Sequence, residues 1–164
     1  MFLSVRLRPQ FFGYFEKFAR RGIDPDRVEM LGGVDSTTDH LALYGRMDIA
    51  LDTFPYNGTT TTCEAMWMGV PVIVLAGDRH AGRVGVSLLQ GLGMDELIAE
   101  SPDEYLQLAH DLAQDRDRCS AYRSSLRTRM RNAPLMDAAS FTRDIEAAYR
   151  RMWRAWCKHI RPGT

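Results

Sequence analysis

Short apolar runs alternate with segments of helical periodicity over the first hundred residues of the chain. The apolar runs predict five strands, and the segments between them predict helices. Because the strands are nearly continuous in apolar residues and alternate with helices, they indicate parallel βαβ units in a sheet that is covered on both faces. The predicted strands are FLSVRL (2–7), RVEML (27–31), DIALDTF (48–54), PVIVLA (71–76) and ELIAE (96–100).

Four helices are predicted between these strands from apolar residues at helical spacing. Gly22 and Gly69 follow two of them, at the position where a glycine commonly ends a helix. The four predicted helices cover residues 10–21, 38–46, 61–69 and 80–93.

The pattern becomes wholly helical after residue 100. Ser101, followed by Pro102 and Glu104, is a strong helix-start signal, and a second helix begins near residue 116. A last helix begins near residue 140 and carries an apolar stripe, whose ordinary role is packing against a core. The stripe consists of Phe141, Ile145, Ala148, Tyr149, Met152, Trp153 and Trp156.

The composition is that of an ordinary globular domain, since 45% of the 164 residues are hydrophobic and 26% are charged. Lys plus Arg and Asp plus Glu number 21 each, so overall charge gives no support for binding to nucleic acid or to an acidic membrane. Arginines are frequent over residues 116–154, but the acidic residues interspersed among them favour solvated helix faces.

Three cysteines without any CxxC pair indicate a reducing compartment and disfavour a zinc site. The first ten residues carry charge too early for a signal peptide. The longest apolar run is far shorter than the roughly 20 residues that cross a bilayer. We therefore predict a cytoplasmic, soluble protein.

The connection after the third predicted strand, FPYNGTTTTCE (54–64), is the strongest candidate for chemistry. In an open parallel sheet, ligands bind at the carboxyl ends of the strands, near the N-termini of the helices that follow. Such a helix N-terminus offers unpaired N–H groups and partial positive charge to an anion such as phosphate. Asn57 and Gly58 turn the chain toward the threonines, whose hydroxyls add further donors. The segment lacks the GK[ST] of a P-loop.

Glu64 and His40 each have two interpretations. Thr61 and Glu64 have the spacing of a capping box, in which Thr61 caps the helix and Glu64 bonds back to the Thr61 N–H. Alternatively, Glu64 accepts hydrogen bonds from a ribose diol, as acidic residues do in nucleotide-binding α/β folds. His40 precedes the third strand and is either a polar surface residue or part of the same crevice.

The connection after the fourth predicted strand contains His80 and Arg83, which either contact an anion or have a structural role. Two DxD pairs, at residues 24–26 and 115–117, lie in connections between predicted elements, and we expect neither to bind a metal. A Ser-His-Asp triad is not supported, because no serine stands at a strand-to-helix elbow.

One long stretch carries a family resemblance. HLALYGRMDIALDTFPYNGTTTTCEAMWMGVPVIVLAG (40–77), followed by HAGRVGVSLL and LIAESPDEY, closely resembles the C-terminal catalytic half of protein O-GlcNAc transferases, especially bacterial relatives joined to TPR repeats. The resemblance implies a GT-B glycosyltransferase with a Rossmann-like C-terminal domain that binds UDP-GlcNAc. It further implies inverting transfer of GlcNAc to protein Ser or Thr, without a metal or another cofactor. A close variant transfers glucose to Asn.

The resemblance also implies roles for individual residues. Thr59, Thr60 and Thr61 fall on the family segment that holds the diphosphate. Glu64 falls on an acidic residue that binds the uridine ribose, and His40 falls on a histidine near the nucleotide. Thr59 replaces a histidine of the animal enzymes, so the first of these contacts differs here.

Part of the family pattern has no counterpart in this sequence. The N-terminal half of the catalytic region, with the acceptor-side and catalytic residues, is unmatched, so the catalytic residues are unknown. The first strand and helix of the C-terminal domain, which bring a Gln and a Lys to the UDP, are unmatched as well. We expect a partial Rossmann-like region over residues 1–100, with a helical segment over residues 101–164 packed on the same domain.

The unmatched first strand normally lies at the centre of the sheet. FLSVRL and DIALDTF are therefore expected to present open edges that favour self-association, and Trp153 and Trp156 to form an exposed patch. We expect a fragment of a larger enzyme that is inactive alone and meets its protein acceptor through segments that it lacks. The alternative is a non-catalytic remnant that binds a nucleotide or a partner protein.

Overall fold

This computed structural model describes residues 3–4 and 12–160 of the chain, in which strands and helices alternate as far as residue 100 and helices follow. The strands are β1 (Leu3–Ser4), β2 (Met30–Leu31), β3 (Ala50–Leu51), β4 (Val72–Leu75) and β5 (Ile98–Ala99). The helices are α1 (Phe12–Ala19), α2 (Thr37–Leu43), α3 (Thr60–Trp67), α4 (Val84–Gly91), α5 (Pro102–Gln114), α6 (Arg116–Asn132) and α7 (Ala138–Ile160). The remaining residues of FLSVRL, and residues 10–11 of the first predicted helix, lie outside the described residues.

The strands form two parallel ladders. One pairs β1 with β2, and the other has the order β3-β4-β5. Within the described residues no ladder joins β1 to β3, so each of these strands is paired on one side only. The predicted parallel α/β class is confirmed. The two strands that we expected to present open edges, β1 and β3, are among the four strands that have a single neighbour within the described residues.

The third strand is shorter and less buried than its sequence predicted. DIALDTF was predicted as a buried strand of seven residues, but only Ala50 and Leu51 form a ladder, and both are half-buried. Two physical reasons account for the difference. Among the residues that the structure describes, only β4 pairs with this strand, and the chain leaves the sheet at Asp52, whose carboxylate bonds to backbone groups further along.

Two predicted helices are each divided in two. Residues 38–46 form α2 followed by a 3-10 turn over Tyr44–Arg46, and residues 80–93 begin with a 3-10 turn over His80–Gly82 before α4. The second division follows from a close backbone crossing, in which the Gly77 N–H donates to the Gly82 carbonyl at 2.8 Å. A side chain on Gly82 would lie 3.0 Å from the Pro55 carbonyl, so this turn also packs against the β3–α3 connection.

One apolar core contains residues from the sheet and from the later helices. Met66, Ile73 and Leu89 are fully buried around β4. The same core includes side chains of α5 and α6, namely Tyr105, Leu112, Tyr122, Leu126 and Met130. Residues 102–132 therefore pack against the strands that position the candidate site.

Helix α7 lies with its apolar stripe exposed. The exposed fraction is 64% for Phe141, 64% for Tyr149 and 62% for Trp153, and the rings of Trp153 and Trp156 stack with their centroids 5.0 Å apart. The core-packing role that helical spacing suggested is therefore wrong for this stripe. The exposed tryptophan patch expected from the family resemblance is confirmed. None of the described helices is long and apolar enough to cross a membrane.

Candidate functional site

The β3–α3 connection folds around the carboxylate of Asp52, which is 8% exposed. Its Oδ1 accepts the N–H groups of Thr53 at 2.9 Å and Gly58 at 2.7 Å, and its Oδ2 accepts the Thr62 hydroxyl at 3.5 Å. The Tyr105 hydroxyl donates to the Asp52 carbonyl at 2.9 Å. These bonds bring the chain back on itself, so that α3 begins at the carboxyl end of the sheet. Asp52 was not among the site residues predicted from the sequence, although a carboxylate within an apolar run was a visible signal.

Asn57 is fully buried and joins this connection to the next one along the sheet. Its N–H donates to the Ala81 carbonyl at 2.8 Å, and its side-chain amide donates to the Thr53 carbonyl at 3.0 Å. Its Oδ1 accepts the Gly85 N–H at 3.2 Å. The structure therefore places Asn57 beneath the loop, where it holds the β3–α3 and β4–α4 connections together.

Helix α3 begins at Thr60, with Thr59 in the N-cap position. The Cys63 N–H donates to the Thr59 carbonyl at 3.1 Å. The N–H groups of Thr60, Thr61 and Thr62 precede this bond and stand at the helix N-terminus. Thr59, Thr60 and Thr61 are exposed. Exposed hydroxyls and N–H groups outside the helical ladder together form a surface that suits an anion.

The carboxylate of Glu64 faces α2. Its Oε2 lies 3.0 Å from Nε2 of His40 and 3.3 Å from the Tyr44 hydroxyl. The capping-box interpretation is wrong, because Thr59 is the N-cap and Thr61 already lies inside the helix. The structure thus brings His40 and Glu64 together, which agrees with the interpretation that His40 is part of the same crevice.

Tyr44 completes what we call the His40–Tyr44–Glu64 cluster. Its ring meets the His40 imidazole edge to face, with centroids 5.6 Å apart and planes at 87°. Burial, with the charge and hydrogen bond of Glu64 adding to it, raises the pKa of Tyr44 to about 12. The hydroxyl therefore keeps its proton at neutral pH and donates to Glu64. Tyr44 was not among the site residues predicted from the sequence, although its i, i+4 spacing from His40 places both on one helix face.

His80 and Arg83 lie exposed in the β4–α4 connection. Arg83 donates to the Gly77 carbonyl at 3.1 Å. In the described part of the chain, no hydrogen bond joins either residue to the threonines or to Glu64. Both residues lie on the connection that Asn57 bonds to the β3–α3 connection, so they are at the same carboxyl edge of the sheet as the candidate site.

The first aspartate of each DxD pair caps a helix. Asp24 accepts the Asp26 N–H at 3.0 Å, and Asp115 accepts the Arg118 N–H at the start of α6 at 2.9 Å. Among the residues that the structure describes, no group of three or more His, Cys, Asp or Glu side chains is placed to hold a metal ion. A separate cleft of about 710 Å³ lies beside β3, against α5 and α6, and none of the threonines or cluster residues lines it.

Comparison with known proteins decides the family. The model of glycosyl transferase family 41 matches residues 14–145. The chain belongs to glycosyl transferase family 41. It is 47% identical over 156 residues to a probable UDP-N-acetylglucosamine–peptide N-acetylglucosaminyltransferase SPINDLY of Solanum lycopersicum, covering 95% of this chain and 16% of that protein. It is 30% identical over 136 residues to the UDP-N-acetylglucosamine–peptide N-acetylglucosaminyltransferase of Caenorhabditis elegans, covering 83% of this chain and 12% of that protein.

A solved structure agrees with this assignment. A mutant of the Thermobaculum terrenum O-GlcNAc transferase matches with a TM-score of 0.83 and 41% identity, covering 90% of this chain and 28% of that one. The match confirms the Rossmann-like GT-B architecture expected from the resemblance. The chain spans 16% of the length of its tomato relative and 28% of the solved chain.

Gly58 offers a direct test of the family 41 loop geometry. A Cβ at this position would lie 2.5 Å from the Thr62 hydroxyl oxygen and 2.7 Å from that of Thr61. We expect Gly58→Ala to destabilise the chain by about 1–3 kcal/mol, since the threonines must move to admit the methyl group. Urea unfolding measures this loss. The control is Gly91→Ala at the end of α4, where a Cβ meets nothing within 4 Å. Equal stability of the two variants would contradict the described packing.

Asp52 gives the stability of the chain an unusual pH dependence. Burial raises the pKa of this carboxyl above its usual range, although hydrogen bonds from Gly58, Thr53 and Thr62 oppose the rise. A raised carboxyl pKa means that the folded chain holds the proton more tightly than the unfolded chain. The stabilisation is therefore complete below the ordinary pKa of an aspartate, and it is lost as the pH rises toward the folded value.

We expect the free energy of unfolding of the wild type, measured relative to Asp52→Asn, to fall as the pH rises through that window. The slope for one proton is at most about 1.4 kcal/mol per pH unit. Urea unfolding of both proteins at a series of acidic pH values measures it. Two parallel stability curves, or a difference that grows with pH, would show that Asp52 is not held as described.

Proposed function

We propose that this chain is the donor-binding part of a family 41 glycosyltransferase that transfers GlcNAc from UDP-GlcNAc to Ser or Thr of proteins, with inversion and without a metal. One observation carries the proposal. The exposed hydroxyls of Thr59, Thr60 and Thr61 stand at the N-terminus of α3, and Glu64 on the same helix is in contact with His40. The names of the tomato and nematode relatives, both UDP-N-acetylglucosamine–peptide N-acetylglucosaminyltransferases, support UDP-GlcNAc as the donor.

In this proposal the start of α3 holds the diphosphate. The N–H groups of Thr60, Thr61 and Thr62 and the exposed threonine hydroxyls donate to phosphate oxygens, and the positive end of the helix dipole adds to the attraction. When an acceptor hydroxyl attacks the anomeric carbon, the bond from that carbon to the β-phosphate oxygen breaks and UDP leaves with one additional negative charge. Donors that are already in place stabilise that charge in the role that a metal ion has elsewhere. The hydroxyl proton passes to a base that we assign to the unmatched catalytic region. His80 and Arg83 on the neighbouring connection are further candidates for phosphate contacts.

The ribose is assigned to Glu64, with His40 beside the nucleotide. A carboxylate next to a diphosphate would be repelled, so Glu64 has to face the sugar hydroxyls. Both of its contacts within the cluster use Oε2. Oε1 therefore keeps its lone pairs for a ribose hydroxyl, and we propose that the diol donates to it.

Transfer itself is proposed for the larger enzyme. The chain spans 16% of the length of its tomato relative, and we assign the acceptor-side and catalytic residues to parts of the family sequence that it does not match. The chain alone is then expected to bind UDP and to be inactive as a transferase. Its protein acceptor and its cytoplasmic location stay predictions.

A non-catalytic partner-binding role is the second candidate, and the exposed stripe of α7 favours it. The two roles separate in a transferase assay of the 164-residue chain with UDP-GlcNAc and a Ser/Thr peptide, alone and with added N-terminal catalytic region of a family member. Activity that appears only with the added region supports the donor-binding role. UDP binding without transferase activity, both for the chain alone and with the added region, favours the non-catalytic partner-binding role.

Calorimetric titration with UDP, UMP and uridine tests donor binding. We expect UDP to bind more tightly than UMP, and UMP more tightly than uridine, because each phosphate adds contacts at the helix N-terminus. If the folded chain bound UDP no more tightly than uridine, the proposed diphosphate site would be contradicted.

A further inference from the structure

Tyr44 contacts the other parts of the candidate donor site from within the protein. Its hydroxyl lies 3.3 Å from the Glu64 carboxylate and 3.4 Å from the Thr61 carbonyl, and its ring supports the His40 imidazole. The single hydroxyl proton favours the charged acceptor, because a hydrogen bond to an ionised group is about twice as strong as one to a neutral group. Tyr44 thus donates to Glu64 and packs against His40, the other two members of the cluster.

The backbone of Tyr44 is held from the opposite side by α6. Its carbonyl accepts a hydrogen bond from Arg123 at 3.1 Å, and the same guanidinium donates to the Met68 carbonyl at 3.1 Å and to the Met47 carbonyl. Arg123 therefore fixes the end of α3 and the turn that follows α2 relative to each other. Tyr44 is 8% exposed and is held at both its carbonyl and its hydroxyl.

His40 and Glu64, the two residues that we assign to the nucleotide, are more exposed than Tyr44 and are therefore less restrained by packing. The side chains of His40 and Glu64 are 37% and 27% exposed. Glu is among the side chains that lose most rotamer freedom when fixed. A carboxylate that must meet a ribose diol at a set angle needs a rigid neighbour, and the Tyr44 hydroxyl is the buried group that bonds to it.

From these contacts we propose that Tyr44 is a positioning residue, which orients the Glu64 carboxylate and the His40 ring to receive the ribose of the donor nucleotide. This inference rests on the proposed function. It assigns Tyr44 no contact with the diphosphate. Removal of the hydroxyl therefore affects recognition of the ribose and leaves the start of α3 unchanged.

The test compares Tyr44→Phe with Tyr122→Phe. Phe keeps the ring and its packing, so both variants are expected to fold, and thermal unfolding checks this. Tyr122 is a matched control, because it is also buried and its hydroxyl donates to a glutamate, Glu96, at 2.8 Å. Each protein is titrated calorimetrically with UDP and with 2′,3′-dideoxy-UDP.

We expect Tyr44→Phe to lower the affinity for UDP by about 3- to 10-fold, the effect of an ordinary hydrogen bond, and to leave the affinity for dideoxy-UDP unchanged. Tyr122→Phe is expected to change neither affinity. If Tyr44→Phe binds UDP as the wild type does while Glu64→Gln binds it more weakly, the inference fails and the donor site stands. An equal loss for both nucleotides would make Tyr44 a general structural residue and overturn the inference as well. A folded wild type that binds neither nucleotide overturns the proposed function, and this inference with it.

Discussion

Replacing Leu126 by alanine is expected to lower the free energy of unfolding by about 2–5 kcal/mol, the usual cost of a cavity in a packed core. Leu126 lies on α6, is fully buried, and belongs to the same core as Ile73 of β4. Because one core joins the helical segment to the sheet, the loss should appear in a single cooperative transition. Urea unfolding followed both by tryptophan fluorescence and by circular dichroism measures it.

The control for this prediction is Leu106→Ala on α5. Leu106 is 65% exposed, so its truncation is expected to change the stability by less than about 0.5 kcal/mol. If Leu126→Ala produced two separated transitions, with the sheet signal retained in the first, the helices would form an independent unit. The single-core description would then be wrong.

Replacing Glu64 by glutamine is expected to weaken UDP binding by about 1–3 kcal/mol, because hydrogen bonds to a charged carboxylate are exchanged for weaker bonds to a neutral amide. Glutamine keeps the size of the side chain but removes the charge that strengthens the bonds from the ribose hydroxyls. Calorimetric titration should show a Kd roughly 5- to 150-fold higher. The affinity for 2′,3′-dideoxy-UDP should be unchanged.

Glu96→Gln is the matched control for this substitution. Glu96 also accepts a hydrogen bond from a buried tyrosine hydroxyl, that of Tyr122, but it belongs to neither the threonine segment nor the cluster. Glu96→Gln is expected to bind UDP as the wild type does. A loss for Glu64→Gln of the same size with UDP and with the dideoxy nucleotide would show that Glu64 supports the fold and does not contact the ribose.

The fold was predictable where a local signal determines the structure. Gly22 and Gly69 follow α1 and α3 with φ of 73° and 85°, a conformation that glycine adopts without strain. Ser101 caps α5, accepting the Glu104 N–H at 3.2 Å, as the start signal predicted. The apolar run around β4 is found as a buried strand. In each case residues close in the sequence decide the conformation.

The direction of the Glu64 side chain was not predictable from spacing. The pattern suited Thr61 as the cap, but α3 begins at Thr60, because the bonds of Asp52 and Asn57 fix the loop before it. Glu64 then lies too far along the helix to return to the cap, and α2 supplies His40 and Tyr44 as partners. The family resemblance assigned His40 and Glu64 to one nucleotide site, and the two side chains lie 3.0 Å apart. Local spacing gave the wrong bond for Glu64, and its contact with the ribose stays a prediction.

Contacts between segments that are distant in the sequence could not be predicted from the spacing of residues either. Arg123 is one of many arginines on residues 116–154, and nothing in its spacing marks it as the residue that bonds to the carbonyls of Met47 and Met68. The exposure of α7 is a second case. Helical spacing identifies an apolar face but not what covers it, and only the resemblance indicated that this face would be open.

The most direct test of the account maps UDP onto the folded chain by NMR. Amide resonances of the ¹⁵N-labelled 164-residue protein are followed as UDP is added. The account predicts that the largest shift changes occur at the N–H groups of Thr60, Thr61 and Thr62, with smaller changes at Glu64 and His40. Changes confined to the cleft beside β3, around Ile49 and Arg116, or no changes at saturating UDP, would contradict the assignment of the donor site to the start of α3.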